Sequence, residues 1–442
     1  MSRPSFPALA ALSVPAYRRI WSAILISNMG IWMQITGRAF LVYDITGSTS
    51  ALGIVYLASY GPQLFVGPFA GVLADRYDRR KTVMLTAIGM ALASAAIGAL
   101  ATTGTATLAN VAAISLVTGV LQTVTQASSM ALLPSLVSKP LLHSAVSLQA
   151  LTSSGTRVVG PLLAGGLIPI VGVAWLFYLN ALSLLPVVVA WWRTKVPQQQ
   201  ADVQGRPLRA VAEGFAFTRR TRPLAVPVSL LAVLSAVGLV YQPLGVAYAT
   251  EVLADGGQQL GATYFGLLQG AIGAGALLGV LALSGVSQRR PAGTLIGTGV
   301  VFSLSLMALG LTGMVAVAVP LAVVLGAAHF ANSNLTLALA QHHAPEEMRG
   351  RVMALTLVAF VGIFPFTSYG FGALADVVGS GITFFACGVV CLLASLLVVR
   401  WRRDIYIPEV DEDEPAPPEQ EAAADQEDAP AGRQDVADRS LV

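Results

Sequence analysis

The chain has 442 residues, of which 55% are hydrophobic and 11% are charged, and its mean hydropathy is +0.70. Soluble globular domains carry about 25% charged residues, so this composition excludes a water-soluble globule and predicts a polytopic membrane protein. The net charge of +3 hides an uneven distribution, because residues 1–403 hold 24 Lys and Arg against 10 acids, whereas 404–442 hold 2 Arg against 13 acids.

The acidic segment at 404–442 also contains four of the chain's prolines between Pro415 and Pro430. It has too few apolar side chains to bury a core, which is typical of disordered segments. The sequence therefore predicts a disordered, solvated tail, and a docking segment is the alternative.

Twelve apolar stretches are long enough to cross a bilayer, which takes about 20 residues of helix. They begin near Ile20, Ala51, Thr82, Thr105, Ser144, Val173, Leu224, Ala262, Ala292, Met314, Val352 and Gly381. Of the 26 Lys and Arg, 24 fall at the termini or in alternate connections, and the other two, Arg38 and Arg157, fall inside apolar stretches. Because cytoplasmic loops collect basic residues, we predict an all-α fold of twelve transmembrane helices with both termini in the cytoplasm.

The longest connection runs from about Arg193 to Arg222 and divides the stretches into two sets of six. We predict an N-terminal six-helix bundle at 1–192, a cytoplasmic linker at 193–222, a C-terminal six-helix bundle at 223–403 and the disordered tail at 404–442. Within the linker, apolar residues at helical spacing predict a short amphipathic helix on the inner membrane surface; they are Leu208, Val211, Ala212 and Phe215.

The turn between the second and third stretches is highly charged, with six charged residues among the seven from Asp75 to Lys81. It resembles the signature loop between helices 2 and 3 of the major facilitator superfamily, although Asp78 stands where that pattern has glycine. The resemblance implies a gating role for Gly71, Asp75, Arg76, Arg79 and Arg80. An ordinary basic turn on the cytoplasmic side is the alternative.

Asp75 lies at the inner end of the second predicted helix and can face the positive N-terminus of the eleventh near Gly350. Arg349 and Arg351 flank that N-terminus. We predict that Asp75 and these groups hold the cytoplasmic side shut when the cavity faces outward. The letters of Gly71–Ala74 recur at Gly279–Ala282, an offset of 208 residues, and Leu283 then stands where the first half has Asp75. This predicts that the latch exists once.

Two polar stripes recur at an offset of 207 residues, each with members at i, i+3, i+4 and i+7, which lie on one face of a helix. The first, in the fourth predicted helix, consists of Gln122, Thr125, Gln126 and Ser129. The second, in the tenth, consists of His329, Asn332, Ser333 and Thr336. Matched stripes predict a central cavity between two related halves, and hydrogen bonding between helices is the alternative.

A third stripe, in the fifth predicted helix, leads to a charged residue near the middle of the membrane. It consists of Gln149, Thr152, Ser153 and Thr156, followed by Arg157. A charge at that depth is by default a candidate functional residue. An arginine that only joins the fifth helix to a neighbour is the alternative.

Several further segments, together with the charged turn, resemble the exporter branch of the major facilitator superfamily that includes enterobactin-type siderophore exporters, the transmembrane secretion effector group. They are Tyr17–Trp21, Phe40–Ser48, Arg157–Pro161 and Arg349–Val352. The resemblance implies export of a small, siderophore-like or drug-like molecule across the bacterial inner membrane, commonly by proton antiport. A carrier of this kind needs a lipid bilayer, a small-molecule substrate and protons, and we expect a monomer with no cofactor and no nucleic-acid partner. Import of a small metabolite is the alternative.

Two other classes of protein are disfavoured. An ATP-driven pump in one chain needs a phosphate loop ending in Gly-Lys-Ser or Gly-Lys-Thr, and none of the three lysines follows a glycine. A membrane-embedded enzyme would need a metal or nucleophile cluster, for which the region of His342, His343, Glu346 and Glu347 is the candidate. Its position at a predicted helix N-terminus explains the two acids without a metal.

The cargo and its coupling depend on the central charges. No Asp or Glu falls in the middle of a predicted helix, which disfavours a cationic cargo and predicts a neutral, zwitterionic or anionic one. His329 is the most central side chain with an ordinary pKa near physiological pH. It is therefore the candidate proton carrier, and a neutral histidine bonded between helices is the alternative.

Overall fold

The computed structural model describes residues 7–132, 136–194, 207–283 and 290–406, all within one compact unit, Met1–Ile407. Within these ranges it leaves out the side chains of residues 7–8, 68, 70–76, 130–131, 207–211, 280 and 282–283. The described part is helical throughout. Most of the acidic tail predicted at 404–442 lies outside it.

Six long helices form the first half of the chain, which we call the N-terminal half. They are α1 (Pro15–Thr46), α2 (Thr49–Arg76), α3 (Arg79–Thr102), α4 (Leu108–Leu132), α5 (Leu142–Val171) and α6 (Val173–Trp192). Short 3-10 turns at Pro7–Ser13 and Lys139–Leu141 precede α1 and α5. Each predicted apolar stretch of this half therefore corresponds to one helix.

The C-terminal half follows a short connecting helix, α7 (Pro207–Arg220), at the site of the predicted amphipathic helix. Its helices are α8 (Arg222–Gly238), α9 (Tyr241–Ala247), α10 (Gln258–Leu283), α11 (Pro291–Leu311), α12 (Val315–His343), α13 (Glu346–Leu357), α14 (Phe364–Val378) and α15 (Ser380–Val398). A π-helical turn at Tyr248–Leu253 extends α9, another at Val358–Gly362 joins α13 to α14, and a 3-10 turn at Val399–Asp404 follows α15.

Ten helical segments of the described part are long and apolar enough to cross a membrane. Helices α1 and α2 are not among these ten, although at 32 and 28 residues they also exceed the length of a membrane span. Helix α1 contains Arg38 well inside its length. The protein is therefore an all-helical, multi-pass membrane protein.

The internal repeat is visible in the turns between helices. Gly172 joins α5 to α6 with φ +83° and ψ 160°, and Gly379, 207 residues later, joins α14 to α15 with φ +88° and ψ 154°. Such positive φ values are favourable only for glycine. The same tight turn thus recurs at the offset at which the polar stripes recur.

The two halves meet along two pairs of helices, α2 with α14 and α5 with α10. The second contact depends on glycine, because a Cβ atom added at Gly266 would lie 2.6 Å from the Cα atom of Gly165. Helix α5 is thereby held close to α10 just beyond Arg157. Basic residues collect at one end of the bundle, called the basic end, where Arg80 and Arg351 lie; Asp44, Glu251 and Asp376 lie at the opposite, acidic end.

Candidate functional site

A cavity of about 500 Å³ lies between the two halves. The N-terminal half contributes to its wall from all six helices. The C-terminal half contributes from Leu239, α9, α10, α12, the π-helical turn before α14 and Phe364 at the start of α14. The lining reaches the basic end at Trp21, Val83 and Trp191. The cavity thus extends from the middle of the protein to its basic end.

The structure brings together eight of the predicted residues on the N-terminal wall of this cavity. They are Gln122, Thr125, Gln126 and Ser129 from α4, and Gln149, Thr152, Ser153 and Arg157 from α5. Thr156 does not border the cavity; it is buried and its hydroxyl donates to the carbonyl of Thr152 at 2.8 Å. The α4 and α5 stripes therefore share one polar surface.

Arg157 is the one charged residue among the described residues that line the cavity. Its guanidinium carbon lies 5.1 Å from the ring centroid of Trp32 on α1 and 4.5 Å from that of Phe330 on α12. The side chain therefore bridges the two halves through cation–π contacts. Its Nε is buried without a hydrogen-bond partner, and no described carboxylate pairs with it. The guanidinium is thus available to bind an acceptor group in the cavity.

The α12 stripe lies elsewhere, against α11, and none of its members lines the cavity. Asn332 Nδ2 donates to the carbonyl of Leu295 at 2.9 Å and to Thr298 Oγ1 at 3.0 Å, both on α11. The hydroxyls of Ser333 and Thr336 donate to carbonyls within α12, at 2.8 and 2.9 Å. In this conformation the stripe thus follows the alternative interpretation, hydrogen bonding between and within helices.

His329 is fully buried and surrounded by three phenylalanines. Its ring centroid lies 5.2 Å from that of Phe302, 5.7 Å from Phe330 and 5.5 Å from Phe360. Phe330 and Phe360 border the cavity, so their rings lie between it and the imidazole. Neither ring nitrogen of His329 has a hydrogen-bond partner, and a charge at this position would lose its hydration without compensation. This geometry does not support the assignment of proton carrier.

The charged turn of the predicted gate is ordered by its own side chains. Asp78 accepts from the backbone N–H groups of Arg80 at 3.0 Å and Lys81 at 3.1 Å, so it is the N-cap of α3. Arg80 in turn donates to the last carbonyls of α6, Trp191 and Trp192, at 2.6 Å each. The aspartate that replaces the motif's glycine thus stabilises the start of α3.

Three residues of the predicted gate, Gly71, Asp75 and Arg76, lie outside the residues whose side chains the structure describes. The Asp75 latch therefore stays a prediction. On the opposite half, Arg351 pairs with Glu213 of α7 at 2.6 Å. One of the two arginines proposed for the latch is therefore bound to the connecting helix in this conformation.

The acidic end is closed by hydrogen bonds between the halves. Asp376 of α14 accepts from the backbone N–H of Thr49 at 2.6 Å and that of Ser50 at 3.1 Å, the first two N–H groups of α2. Its carboxylate also accepts from the hydroxyls of Ser48 and Thr49. Tyr43 of α1 donates to Glu251 from the C-terminal half. A side chain of the C-terminal half, Asp376, thus caps the N-terminus of α2 in the N-terminal half.

Sequence reasoning missed much of the C-terminal wall. Gln269 of α10 donates to Gln242 of α9 at 3.2 Å, and both line the cavity. A glutamine inside an apolar stretch indicates such a site. Both Gln242 and Gln269 lie inside apolar stretches, so the sequence could have identified them. The aromatic contacts of Arg157 gave no comparable signal, because Trp32 and Phe330 look like ordinary packing residues in the sequence.

Comparison with known proteins identifies the family. The model of the transmembrane secretion effector family matches residues 6–430. The chain belongs to this family. Within the family's relatives, the enterobactin exporter EntS of Shigella boydii serotype 18 is 28% identical over 404 residues, which cover 88% of this chain and 94% of that exporter.

Several solved structures have the same fold as this chain. A bacterial homologue of the human lysosomal transporter Spinster, in an inward-facing and unoccupied conformation, has a TM-score of 0.72 at 14% identity and covers 88% of this chain and 98% of its own. A bacterial homologue of the iron transporter ferroportin in an inward-facing state has a TM-score of 0.68 at 17% identity, with 88% and 98% covered. Because the chain belongs to a family of major facilitator transporters and shares its fold with these solved transporters, it is a membrane transporter and not an enzyme.

Proposed function

We propose that this transporter exports a small amphipathic molecule, siderophore-like or drug-like, from the cytoplasm across the bacterial inner membrane. The family and the enterobactin exporters among its relatives support this direction of transport. The cavity supports a small-molecule cargo, since its volume of about 500 Å³ is that of an ordinary ligand site. In this proposal the protein acts as a monomer of twelve transmembrane helices, with both termini and the basic end in the cytoplasm.

The observation that carries the proposal is the environment of Arg157. A cavity that attracts cations uses a buried carboxylate, whereas the described lining offers one arginine and several amides and hydroxyls. The planar guanidinium donates two parallel hydrogen bonds to an oxyanion. The cargo we propose is therefore neutral, zwitterionic or anionic, with hydroxyl or amide groups bound by Gln122, Gln126 and Gln149.

Alternating access accounts for the two ends of the cavity. The lining reaches the basic end, while Asp376 and Glu251 join the halves at the acidic end. We propose that this is the inward-facing state, and that the bundles at 1–192 and 223–403 rock about the cavity while the linker at 193–222 spans them. Asp75 holds the inner side shut in the other state.

We propose that transport is coupled to proton antiport, because the resemblance to the exporter branch of the major facilitator superfamily implies this coupling. None of the described residues that line the cavity is Asp, Glu or His. The coupling proton is therefore bound away from the cargo in this state. A proton uncoupler tests the coupling independently of the cargo site.

The test compares the accumulation of labelled candidate compounds in cells with and without the protein. We expect lower accumulation of an anionic or polyhydroxylated compound in cells that hold the protein, and loss of the difference with an uncoupler or with Arg157→Ala. Higher accumulation in these cells would indicate import and contradict the proposal. A difference that persists with the uncoupler would retain export and exclude proton coupling.

A further inference from the structure

Arg38 is a second cation inside the N-terminal half and is more deeply buried than Arg157. It lies on α1 with 8% of its surface exposed, and its guanidinium donates to Ser115 Oγ on α4 at 3.3 Å. No described carboxylate pairs with it. A buried charge without a counterion is strongly unfavourable, so one long hydrogen bond does not account for an arginine at this position of α1.

Arg38 borders a small cavity of about 10 Å³, too small for a ligand in this conformation. Three of the residues that line this cavity, Ile35, Tyr56 and Ser59, also line the large one. They form the partition between Arg38 and the cargo site. The ring of Tyr60, which lines the large cavity, stacks on that of Tyr56 with centroids 5.9 Å apart.

The two arginines are arranged along the route to the acidic end. Helix α1 ends at Thr46, 8 residues after Arg38, and α5 ends at Val171, 14 residues after Arg157. At 1.5 Å per residue, Arg38 lies about 9 Å nearer to the acidic end. A cargo that leaves the Arg157 site toward that end thus approaches Arg38 next.

The partition is held by a contact with the opposite half. The ring of Tyr56 packs edge-on against Phe364 of α14, with centroids 5.6 Å apart. Helix α14 also carries Asp376, whose bonds to α2 close the acidic end. Movement of α14 away from α2 therefore removes the support of Tyr56 and opens the space in front of Arg38.

We propose that Arg38 is a second binding station for an oxyanion group, sealed in this conformation and opened together with the acidic end. The inference rests on the proposed function, because it takes the acidic end as the exit. In it, the carboxylate or similar group of the cargo passes from Arg157 to Arg38 as the halves separate. Two stations of the same charge let an anion leave the first without crossing an uncharged stretch of membrane interior.

The test uses a reporter cysteine beside Arg38. Ser115→Cys is made in a background in which the two native cysteines, Cys387 and Cys391, are replaced by alanine. Right-side-out vesicles are exposed to two membrane-impermeant methanethiosulfonates, one with a sulfonate and one with a trimethylammonium group. The rate at which each reagent modifies the cysteine is divided by its rate with a small thiol in solution, which corrects for the different reactivities of the two reagents. We expect the sulfonate reagent to react about tenfold faster on this scale, the size of a modest Coulomb attraction.

Arg38→Gln should abolish this preference, whereas Arg18→Gln, which changes an exposed arginine at the basic end, should preserve it. Ala39→Cys, which also borders the small cavity, is the second reporter if Ser115→Cys does not fold. No reaction at either reporter while Ser59→Cys reacts, or an unchanged preference in Arg38→Gln, would overturn the station. The export assay does not depend on these modification rates. The Arg38 proposal can therefore be refuted while export is confirmed, and export can be refuted while the preference for the sulfonate reagent is observed.

Discussion

The closure of the acidic end rests on Asp376, and Asp376→Asn is the sharpest perturbation of it. The carboxylate accepts from two backbone N–H groups and two hydroxyls of residues 48–50, at 2.5–3.1 Å. Gly47, with φ +60°, ends α1 and turns the chain so that the first N–H groups of α2 face α14. An asparagine keeps the shape but loses the charge and one acceptor oxygen.

The size of the effect follows from these contacts. A hydrogen bond to a charged group contributes about 1.5–3 kcal/mol, and a charge at a helix N-terminus about 0.3–1 kcal/mol at an exposed site. Asp376 is exposed, so we count the equivalent of one such hydrogen bond and not all four, and expect a loss of about 1.5–3 kcal/mol from the closed state. Since 1.4 kcal/mol is a factor of ten in an equilibrium, the ratio of outward-open to closed molecules should rise about ten- to hundredfold.

Spin labels on the two halves can report this shift. Thr105, in the connection between α3 and α4, and Leu311, at the end of α11, are both exposed at the acidic end. Pulsed electron–electron distance measurements between labels at these positions, in a cysteine-free background, resolve the open and closed populations. We expect a longer-distance population to become prominent in Asp376→Asn.

Asp44→Asn is the matched control, because Asp44 is an exposed carboxylate at the same end. It should leave the distance distribution unchanged. If Asp376→Asn and Asp44→Asn give the same distribution as the unmodified chain, the carboxylate does not stabilise the closed state. The reasoning from the α2 cap would then be wrong.

Three further predictions concern the cavity and the packing. Arg157→Lys should fold normally but transport poorly, because it keeps the charge and loses the planar fork; melting temperature and proteoliposome transport separate these effects, and a stability loss in proportion to the transport loss would contradict a cargo role. Asn332→Ala should lower stability by about 1–3 kcal/mol and spare transport by the folded protein, whereas exposed Asn334 is the control. Gly266→Ala should push α5 from α10 and destabilise the protein by about 1–3 kcal/mol, unlike Gly293→Ala, which meets open space.

The sequence predicted the helices well, since each apolar stretch is long and its ends carry recognisable signals. The turn at Gly172 and its repeat at Gly379 show why: both residues adopt a conformation that only glycine accepts readily. Helices interrupted by π-helical turns, such as the one at Tyr248–Leu253, were not foreseen. A local change in backbone winding leaves the apolar pattern of the stretch intact.

The candidate site was predicted only on its N-terminal side. The spacing of Gln122 and Gln126 shows that they share a helix face, but spacing does not say which neighbour that face meets. In α12 the matching face meets α11, where Asn332 finds partners on Leu295 and Thr298. The repeat in sequence is real, whereas the rings of Phe330 and Phe360 make the cavity asymmetric.

The role proposed for Arg38 could not be predicted from the sequence, because a single arginine in an apolar stretch says nothing about its partners. The structure adds the decisive facts, namely its burial, its long bond to Ser115 and its separation from the cavity by Tyr56. These depend on contacts between helices that are far apart in the chain.

Uptake into inside-out membrane vesicles tests the central claim most directly, namely that this cavity exports an anionic or polyhydroxylated molecule past Arg157. The vesicles receive either a labelled catechol siderophore of the enterobactin type or a quaternary ammonium dye. We predict time-dependent uptake of the siderophore that is lost in Arg157→Ala, and no comparable uptake of the dye. Preferred uptake of the dye, with Arg157→Ala as active as the unmodified protein, would contradict the account.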